Sequence, residues 1–248
     1  MSRAEKIAAL EATAYAHRGL HDGRVPENSL ASFRAAIDAG LGIECDIRKS
    51  SDGRAVVFHD AELDRLTGRE GLIGAHPVGE LTGMTLTGGD EAIPTLRDTL
   101  DLVAGQVPLL LEIKSDDRRS IVAICRAVRR DLDGYEGAVG VMSFDPRVPR
   151  WFAVNEPDCL RGLVVTQQNS RTLSAAMKRR LAIFTASPNF LALDIRDLPS
   201  GLSRTQATKG RALFSWTVRT AAQLNTARQS GAVPIMEAAG VAAWQEGS

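Results

Sequence analysis

The sequence predicts an α/β fold of the TIM (β/α)8 barrel class, with a small insertion after strand two and a single domain over residues 1–248. Strand-like and helix-like segments alternate regularly from residue 107 onward, which is typical of a parallel sheet. The length also fits, because about 250 residues is usual for eight βα units in one barrel. A doubly wound open sheet is the structural alternative, but its usual Gly-x-Gly-x-x-Gly loop after strand one is absent from this sequence.

The first half of the chain predicts barrel strands separated by a capped helix. Asn28 or Ser29 precedes apolar residues at helical spacing, and Gly40 follows them. A tight turn after strand two indicates a hairpin. Residues 60–95 have no clear core pattern, and we expect an irregular insertion there. The predicted elements of this half are a short amphipathic helix within 1–13, strands at 14–18, 42–48 and 55–59, and a helix from about 96 to 105.

The second half predicts the regular part of the barrel. Its apolar runs are short enough for strands, and the segments between them carry apolar residues at helical spacing. We expect only a short tail after the last strand. The predicted strands are 107–114, 138–144, 160–165, 190–195, 211–218 and 231–236, and the predicted helices are 117–132, 146–154, 170–180, 203–208 and 220–229.

Composition excludes several classes of protein. Lysine plus arginine and aspartate plus glutamate number 30 each, and this zero net charge argues against nucleic acid as a partner. No run of like charge predicts binding to a membrane surface, and no stretch approaches the roughly 20 apolar residues of a membrane span. Three widely spaced cysteines predict neither a disulfide framework nor a zinc site. We therefore expect a cytoplasmic protein with a small-molecule substrate; a homo-oligomer is compatible with the sequence.

Glu44 and Asp46 are two carboxylates inside the apolar second strand. In a strand they point to one face and Cys45 to the other. One interpretation is an edge strand with its polar face in water. The other is a pair of oxygen ligands for Mg²⁺ or Ca²⁺, since buried charges need a partner or a cation.

Polar residues also occur at the ends of other predicted strands, which meet at one mouth of a barrel. Three carboxylates there favour a divalent cation, and an arginine with a lysine favours a phosphate group. Two histidines are suited to general acid–base catalysis near neutral pH. These strand-end residues are His17, Arg18, Glu44, Asp46, His59, Asp60, Glu112, Lys114 and Trp216.

Each of these residues has an ordinary alternative when taken singly. His17 and Trp216 could be core residues, His59 and Asp60 a turn pair, and Glu112 and Lys114 a salt bridge at the rim. We expect His21 and His76 to be solvated loop residues and Cys45 to be a buried structural thiol. The joint occurrence at strand ends favours a site.

At these residues the sequence resembles the glycerophosphodiester phosphodiesterase family. The resemblance runs in order from about residue 14 to 218, and the first half carries the more specific motifs. The matching segments are His17-Arg18-Gly19, Pro26-Glu27-Asn28-Ser29, Glu44-x-Asp46, Asp52-Gly53, Val57-Phe58-His59-Asp60, Leu63-Asp64-Arg65-Leu66-Thr67, Ile93-Pro94-Thr95-Leu96, Glu112-Ile113-Lys114, Ser143-Phe144 and Trp216-Thr217-Val218.

The resemblance implies a TIM barrel that hydrolyses glycerophosphodiesters to an alcohol and sn-glycerol 3-phosphate with Mg²⁺ or Ca²⁺. It implies four roles for the site residues and leaves open which histidine is acid and which is base. By resemblance, His17 and His59 are the acid/base pair, Glu44, Asp46 and Glu112 hold the metal, Arg18 and Lys114 contact the phosphate, and Trp216 lines the glycerol side.

The match departs from the family pattern mainly near the last two strands. Arg219 stands where an Asn often follows Trp-Thr-Val, and Glu237 stands near the place of a usual Thr-Asp pair. Pro234 lies inside the last strand, which is unusual. Ser29 replaces a usual Thr and keeps the hydroxyl. These changes concern the alcohol and glycerol side of the substrate.

Two other functions remain compatible with these residues. A lysophospholipase D-like or cyclising phosphodiesterase would use the same histidines and metal, with a substrate hydroxyl as nucleophile in the cyclising case. A non-catalytic barrel that binds phosphodiesters belongs to a different class, and it would be expected to lack one of the histidines or carboxylates.

Overall fold

The computed structural model describes residues 1–115, 120–168 and 172–247. The chain divides into two compact units, one of Met1–His17 with Val139–Ser248 and the other of Arg18–Ala138. Both contain parallel strands alternating with helices, as the sequence predicts. The single-domain organisation over 1–248 stays a prediction.

The first unit begins with two short elements and continues after residue 138. Its elements are α1 (Arg3–Leu10), β1 (Tyr15–His17), β5 (Val139–Ser143), α7 (Arg147–Asn155), β6 (Leu160–Val165), α8 (Leu173–Ala186), β7 (Phe190–Asp194), a 3-10 turn (Ile195–Asp197), α9 (Gly201–Thr208), β8 (Ala212–Val218), α10 (Ala221–Gln229), β9 (Ala232–Met236) and α11 (Ala239–Glu246).

The second unit contains the predicted hairpin and insertion. Its elements are α2 (Leu30–Asp38), β2 (Gly42–Lys49), β3 (Ala55–Val57), α3 (Asp64–Thr67), a 3-10 turn (Ile73–Ala75), α4 (Val78–Leu81), α5 (Leu96–Val103), β4 (Leu109–Ile113) and α6 (Ile121–Leu132). The predicted helix start at 117 lies outside the described residues.

In the second unit, β2 is the strand that carries the candidate ligands. It pairs in parallel with β4 from Ile43 opposite Leu109 to Ile47 opposite Ile113. Its end pairs antiparallel with β3, where Ile47 is opposite Val57. Pairing with both β3 and β4, together with the burial of nearly every β2 side chain, fixes which residues share a face.

The insertion after β3 is more ordered than expected. Instead of an irregular stretch, it contains α3, α4 and a 3-10 turn around a small apolar core. Leu63, Ile73 and Leu81 are buried in that core with Phe58 from the end of the hairpin. The elements are too short to show helical periodicity, which explains why the sequence pattern did not reveal them.

In the first unit, the strands β1, β9, β8, β7, β6 and β5 lie side by side in this order and run parallel. Pro234 is accommodated in β9 beside a register irregularity against β8, between Ser215 and Val218. Proline has no N–H to donate, so a strand tolerates it best where the ladder is already interrupted.

The predicted short tail after the last strand is wrong. Residues Ala239–Glu246 form α11, and the guanidinium of Arg228 lies 4.9 Å from the ring centre of Trp244. This cation–π contact ties α11 to α10. The helix α8 ends at Ala186 instead of 180, and its predicted start at 170 lies outside the described residues.

Candidate active site

Three carboxylates from two neighbouring strands form one buried cluster. Glu44 and Asp46 are two residues apart on β2 and so point to the same face. Asp46 is in register with Glu112 on β4. Each offers one oxygen, and these oxygens lie within 4.8 Å of one another. All three side chains are buried, so the interpretation of β2 as a solvated edge strand is wrong. Three hard oxygen donors at this spacing fit a divalent cation such as Mg²⁺ or Ca²⁺.

Lys114 forms ion pairs with two of these carboxylates, Asp46 and Glu112. Its Nζ lies 2.9 Å from Asp46 Oδ1 and donates a hydrogen bond of 2.5 Å to Glu112 Oε1. Burial opposes the ammonium charge, but the two carboxylates outweigh it and hold the pKa of Lys114 well above its usual range. Burial likewise opposes the charge on Asp46, yet Lys114 and Arg18 bring the pKa of Asp46 below its usual range. Asp46 and Lys114 are therefore both charged at neutral pH.

Arg18 contacts the same cluster from the start of the second unit. Its backbone N–H donates to Glu44 Oε2 at 3.2 Å, and its Nη1 donates to Glu27 Oε1 at 2.8 Å. Its Nε lies 3.2 Å from Asp46 Oδ2 but makes no hydrogen bond. A buried guanidinium N–H without an acceptor is a donor that an anion could use.

Asn28 is a site residue that sequence reasoning treated only as a cap and part of a motif. It is buried, and its side chain exchanges two hydrogen bonds with Asp46: Nδ2 donates to Oδ2 at 2.9 Å, and the Asp46 N–H donates to Asn28 Oδ1 at 3.2 Å. Its φ of 56° lies in the left-handed region, where asparagine is among the few tolerated residues. Asn28 therefore fixes the orientation of Asp46.

A second hydrogen-bonded group positions His59. His59 Nδ1 lies 2.6 Å from Asp60 Oδ1, and Arg65 Nε donates to Asp60 Oδ2 at 2.6 Å. Arg65 also donates to both carboxylate oxygens of Glu27, which in turn accepts from Arg18. The insertion thus supplies Arg65 to the site. The sequence signal for this group was the acidic residue directly after His59.

Burial is the main reason that the surroundings of His59 favour its neutral form. Burial lowers the pKa of His59, and Lys114 and Arg18 lower it further, while Asp46 and Asp60 act in the opposite direction. The net direction is downward from 6.5. A neutral imidazole whose Nδ1–H is held by Asp60 leaves Nε2 as a proton acceptor.

His17 lies in the first unit, at the end of β1. Its Nδ1 lies 2.7 Å from Glu237 Oε2, and the other Glu237 oxygen accepts from Arg219 Nε. The hydrogen bond from His17 is the main cause that lowers the pKa of Glu237 to about 2, with a further contribution from Arg219. Glu237 and Arg219, two of the departures from the family pattern, therefore act together on His17.

Trp216 also lies in the first unit, on β8. Its Nε1 donates to the carbonyl oxygen of Ala192 on β7 at 3.1 Å, and its ring packs edge-to-face on Phe144 at 5.3 Å. Phe144 is half-exposed. These two aromatic rings, one on β8 and one directly after β5, therefore form a shared apolar surface.

The remaining candidates keep structural roles. Cys45 is fully buried, and burial raises the pKa of its thiol well above 9. Such a thiol is a poor nucleophile. His76 pairs with the exposed Glu80 in the insertion, at 2.8 Å.

The predicted residues of the second unit are therefore brought together. Arg18, Glu44, Asp46, Glu112 and Lys114 are linked by direct contacts, and His59 lies within the field of Arg18, Asp46 and Lys114. His17 and Trp216 belong to the first unit, at the ends of its strands β1 and β8.

Comparisons with known proteins identify the family to which the chain belongs. The model of the glycerophosphoryl diester phosphodiesterase family matches residues 17–237. The chain is 37% identical over 110 residues to a glycerophosphodiester phosphodiesterase of Caldanaerobacter subterraneus, covering 40% of this chain and 44% of the relative. It is 29% identical over 232 residues to YhdW of Bacillus subtilis, which is named as a candidate glycerophosphodiester phosphodiesterase. This match covers 88% of this chain and 92% of the relative.

The fold is also shared with solved structures. A phosphodiesterase of Oleispira antarctica in complex with the product sn-glycerol 3-phosphate superposes with a TM-score of 0.82 at 22% identity, over 94% of this chain and 95% of that one. The fold class is thus the TIM (β/α)8 barrel that the sequence predicts. Because the family model matches most of the chain, the protein belongs to the glycerophosphoryl diester phosphodiesterase family of phosphoric diester hydrolases.

Proposed function

We propose that the chain is a metal-dependent enzyme that hydrolyses glycerophosphodiesters to an alcohol and sn-glycerol 3-phosphate by acid–base catalysis with His17 and His59. The observation that carries this proposal is the buried cluster of Glu44, Asp46 and Glu112 with a lysine and an arginine at its side. Carboxylates alone would bind any hard cation. The added cations favour an anionic substrate, and a phosphodiester carries one negative charge.

Glu44, Asp46 and Glu112 would hold one divalent cation, either Mg²⁺ or Ca²⁺. Once bound, the ion supplies charge that polarises a phosphoryl oxygen. The chain itself prepares the ligands, because Asn28 fixes Asp46 and the Arg18 backbone N–H fixes Glu44. Both ligands are held before any cation arrives, which reduces the entropy lost on binding.

Arg18 and Lys114 would bind the phosphate. Lys114 has three N–H donors, and two are used by Asp46 and Glu112. Its third donor is available to a phosphate oxygen. Arg18 has an Nε–H that is buried and makes no hydrogen bond, and this donor is suited to the same group. The carboxylates that hold these cations also limit their movement.

His17 and His59 would transfer the two protons of hydrolysis. One imidazole takes a proton from the attacking water, and the other gives a proton to the oxygen of the departing alcohol. Each has a carboxylate on Nδ1, namely Glu237 for His17 and Asp60 for His59. The proton transfers therefore fall to Nε2 of each ring.

Trp216 would line the side of the site that receives the glycerol group. Its polar N–H is occupied by a backbone carbonyl, so it offers an apolar ring face instead of a hydrogen bond. A three-carbon unit with two hydroxyls presents C–H groups that pack on such a face. Phe144, edge-to-face with Trp216, would extend the same surface.

The cellular setting is part of this proposal. Among the described residues, no helix has the length and apolar character required to cross a membrane. We place the enzyme in the cytoplasm with a small-molecule substrate and without nucleic acid as a partner. A homo-oligomer remains compatible with the proposal.

The first experiment measures the products released from a panel of glycerophosphodiesters and lysophospholipids. Wild type, His59→Ala and His76→Ala would be compared. His76→Ala is the control, because the described ion pair of His76 is with Glu80, within the insertion. We expect sn-glycerol 3-phosphate from the wild type and His76→Ala, and a loss of about a hundredfold or more in His59→Ala.

The other functions give different results in the same experiment. Release of choline from lysophosphatidylcholine without glycerol 3-phosphate would favour a lysophospholipase D-like enzyme. A cyclic phosphate, identified by phosphorus NMR, would favour attack by a substrate hydroxyl. Binding without any product would leave a non-catalytic phosphodiester-binding barrel, and would refute the proposed hydrolysis.

A further inference from the structure

The helix α8 carries its largest apolar side chains on the outside of the molecule. Leu173, Met177, Leu181 and Phe184 have exposed fractions of 91%, 63%, 63% and 83%. They occur at positions i, i+4, i+8 and i+11. At about 100° per residue, these positions fall within an arc of roughly 80°, so they form one stripe along the helix.

The opposite face of α8 is already packed against the protein. Ala182 and Ile183 contact a core cluster that includes the buried Ala186 and residues of β6, β7 and β8. Two of the three inward residues are thus alanines, while four large apolar residues face outward. A surface helix normally has the reverse arrangement, and a contiguous exposed apolar stripe marks an interaction site.

Basic residues surround this stripe. Lys178 and Arg180 on α8 are exposed, and Arg180 projects about 20° from one edge of the stripe by the helical spacing. The segments 173–186 and 201–211 together contain no Asp or Glu. Their cations are Lys178, Arg179, Arg180, Arg204, Lys209 and Arg211.

A groove between α8 and α9 continues the basic surface. It has a volume of about 830 Å³, and its lining includes four of the cations as well as Ile183 and Phe184. The net charge of the whole chain is zero, so this concentration of positive charge is local. A partner that carries negative charge next to an apolar region would complement both the basic groove and the exposed apolar stripe.

We propose that this face, formed by the exposed stripe of α8 with the basic groove toward α9, binds the surface of a bilayer that contains anionic lipids. Leu173, Met177, Leu181 and Phe184 enter the region between headgroups and acyl chains, as in helices that lie in a membrane interface. Lys178 and Arg180 extend to the lipid phosphates. The sequence alone did not predict this, because the cations of α8 and α9 are more than 20 residues apart.

A second copy of the chain is a poorer occupant of the face. A two-fold dimer pairs the same patch of both copies. Packing α8 on its own copy would bring Lys178 and Arg180 close to their equivalents, with no carboxylate on α8 or α9 to balance them. Negative lipid headgroups remove that repulsion, so charge favours the membrane.

The test is co-sedimentation of the full chain with vesicles of phosphatidylcholine alone and of phosphatidylcholine with phosphatidylglycerol. The variants are Leu181→Ser/Phe184→Ser and Lys178→Gln/Arg180→Gln. The matched control is Val122→Ser/Arg126→Gln, which changes an exposed apolar residue and an exposed cation one turn apart on α6. Circular dichroism checks that each variant is folded, and hydrolysis of a water-soluble glycerophosphodiester checks the active site.

We expect wild type and the α6 control to bind only the anionic vesicles. Loss of the two cations weakens binding about 25-fold, at roughly fivefold per charge, and loss of the two apolar side chains weakens it at least about tenfold. Hydrolysis of the soluble substrate is unchanged in all folded variants. Equal binding by the α8 variants would refute the proposal, and so would the absence of binding by wild type. A dimer in light scattering that Leu181→Ser/Phe184→Ser converts to a monomer would also refute it.

Discussion

Oδ1 of Asp60 lies 2.6 Å from Nδ1 of His59, while Oδ2 of the same carboxylate accepts a hydrogen bond from Arg65. Burial raises the pKa of Asp60, but the bonds from Arg65 and His59 outweigh it and lower that pKa to about 2. Asp60 is therefore ionised at neutral pH. Its carboxylate keeps the proton of neutral His59 on Nδ1. An ordinary turn pair would not require a third residue to orient the carboxylate.

Replacing Asp60 by Asn tests this relationship. Asp60 raises the pKa of His59, against the effect of burial, so its removal lowers that pKa further below 6.5. We expect an NMR titration of His59 to move to lower pH and kcat/KM to fall about a hundredfold. Asp64→Asn, on the exposed start of α3, serves as the control. An unchanged His59 titration would mean that Asp60 does not orient the ring.

Lys114→Met is expected to destabilise the metal-free protein. It leaves Asp46 and Glu112 buried beside each other without their shared cation. Breaking a buried ion pair in this way costs about 3–5 kcal/mol of the free energy of unfolding. Urea denaturation in the presence of a chelator measures the change, and Lys209→Met, at an exposed lysine, provides the comparison. Added Mg²⁺ or Ca²⁺ should restore part of the loss, and equal stability of both variants would contradict the account.

Gly19→Ala tests the turn that leads from His17 into the second unit. Gly19 has φ of 79°, and a Cβ there would clash with the side chain of Ser32. Gly53 has nearly the same φ, 77°, but open space around the added Cβ. Thermal or urea unfolding should show a loss of about 1–2 kcal/mol for Gly53→Ala from backbone strain alone. Gly19→Ala should lose a further 1–3 kcal/mol, roughly, from overpacking; equal losses would show that the turn can move to admit the methyl group.

Glu237→Gln tests the pair with His17 through acid stability. The folded pKa of Glu237 is about 2 and its ordinary value is 4.5. A lowered pKa contributes stability that is complete above pH 4.5 and is lost as the pH falls toward 2. The shift corresponds to at most about 3 kcal/mol, and solvent screening of this partly exposed pair reduces the contribution. We expect the difference in unfolding free energy between wild type and Glu237→Gln to shrink over that interval, and no such trend for Glu246→Gln on α11; a constant difference would contradict the pair.

The sequence predicted the site where it depended on strand alternation. Glu44, Asp46 and Glu112 share a face because residues two apart in a strand do so and because β2 and β4 are in register. The residues that orient them were not predicted to do so. Asn28 reaches Asp46 across 18 residues, and Arg65 reaches Glu27 across 38. Such contacts depend on the path of loops and a left-handed backbone conformation, which no local pattern encodes.

The same distinction holds for the fold. The parallel strands were predicted because their apolar runs are long enough to show a pattern, whereas α3 and α4 are single turns held by the buried residues of the insertion. The helix α11 was missed because its contact with Arg228 comes from the preceding helix. For α8, the sequence predicted a helix but could not show that its large apolar residues face outward.

The measurement that tests the central claim most directly is the metal dependence of sn-glycerol 3-phosphate release by wild type and Glu44→Gln. Both proteins would be treated with a chelator, assayed with a glycerophosphodiester, and assayed again after addition of Mg²⁺ or Ca²⁺. We expect the treated wild type to be inactive and to recover fully with one of the two cations, while Glu44→Gln recovers less than about a hundredth of that rate. Full activity of the chelated wild type, or of Glu44→Gln, would show that the three carboxylates do not hold a catalytic metal.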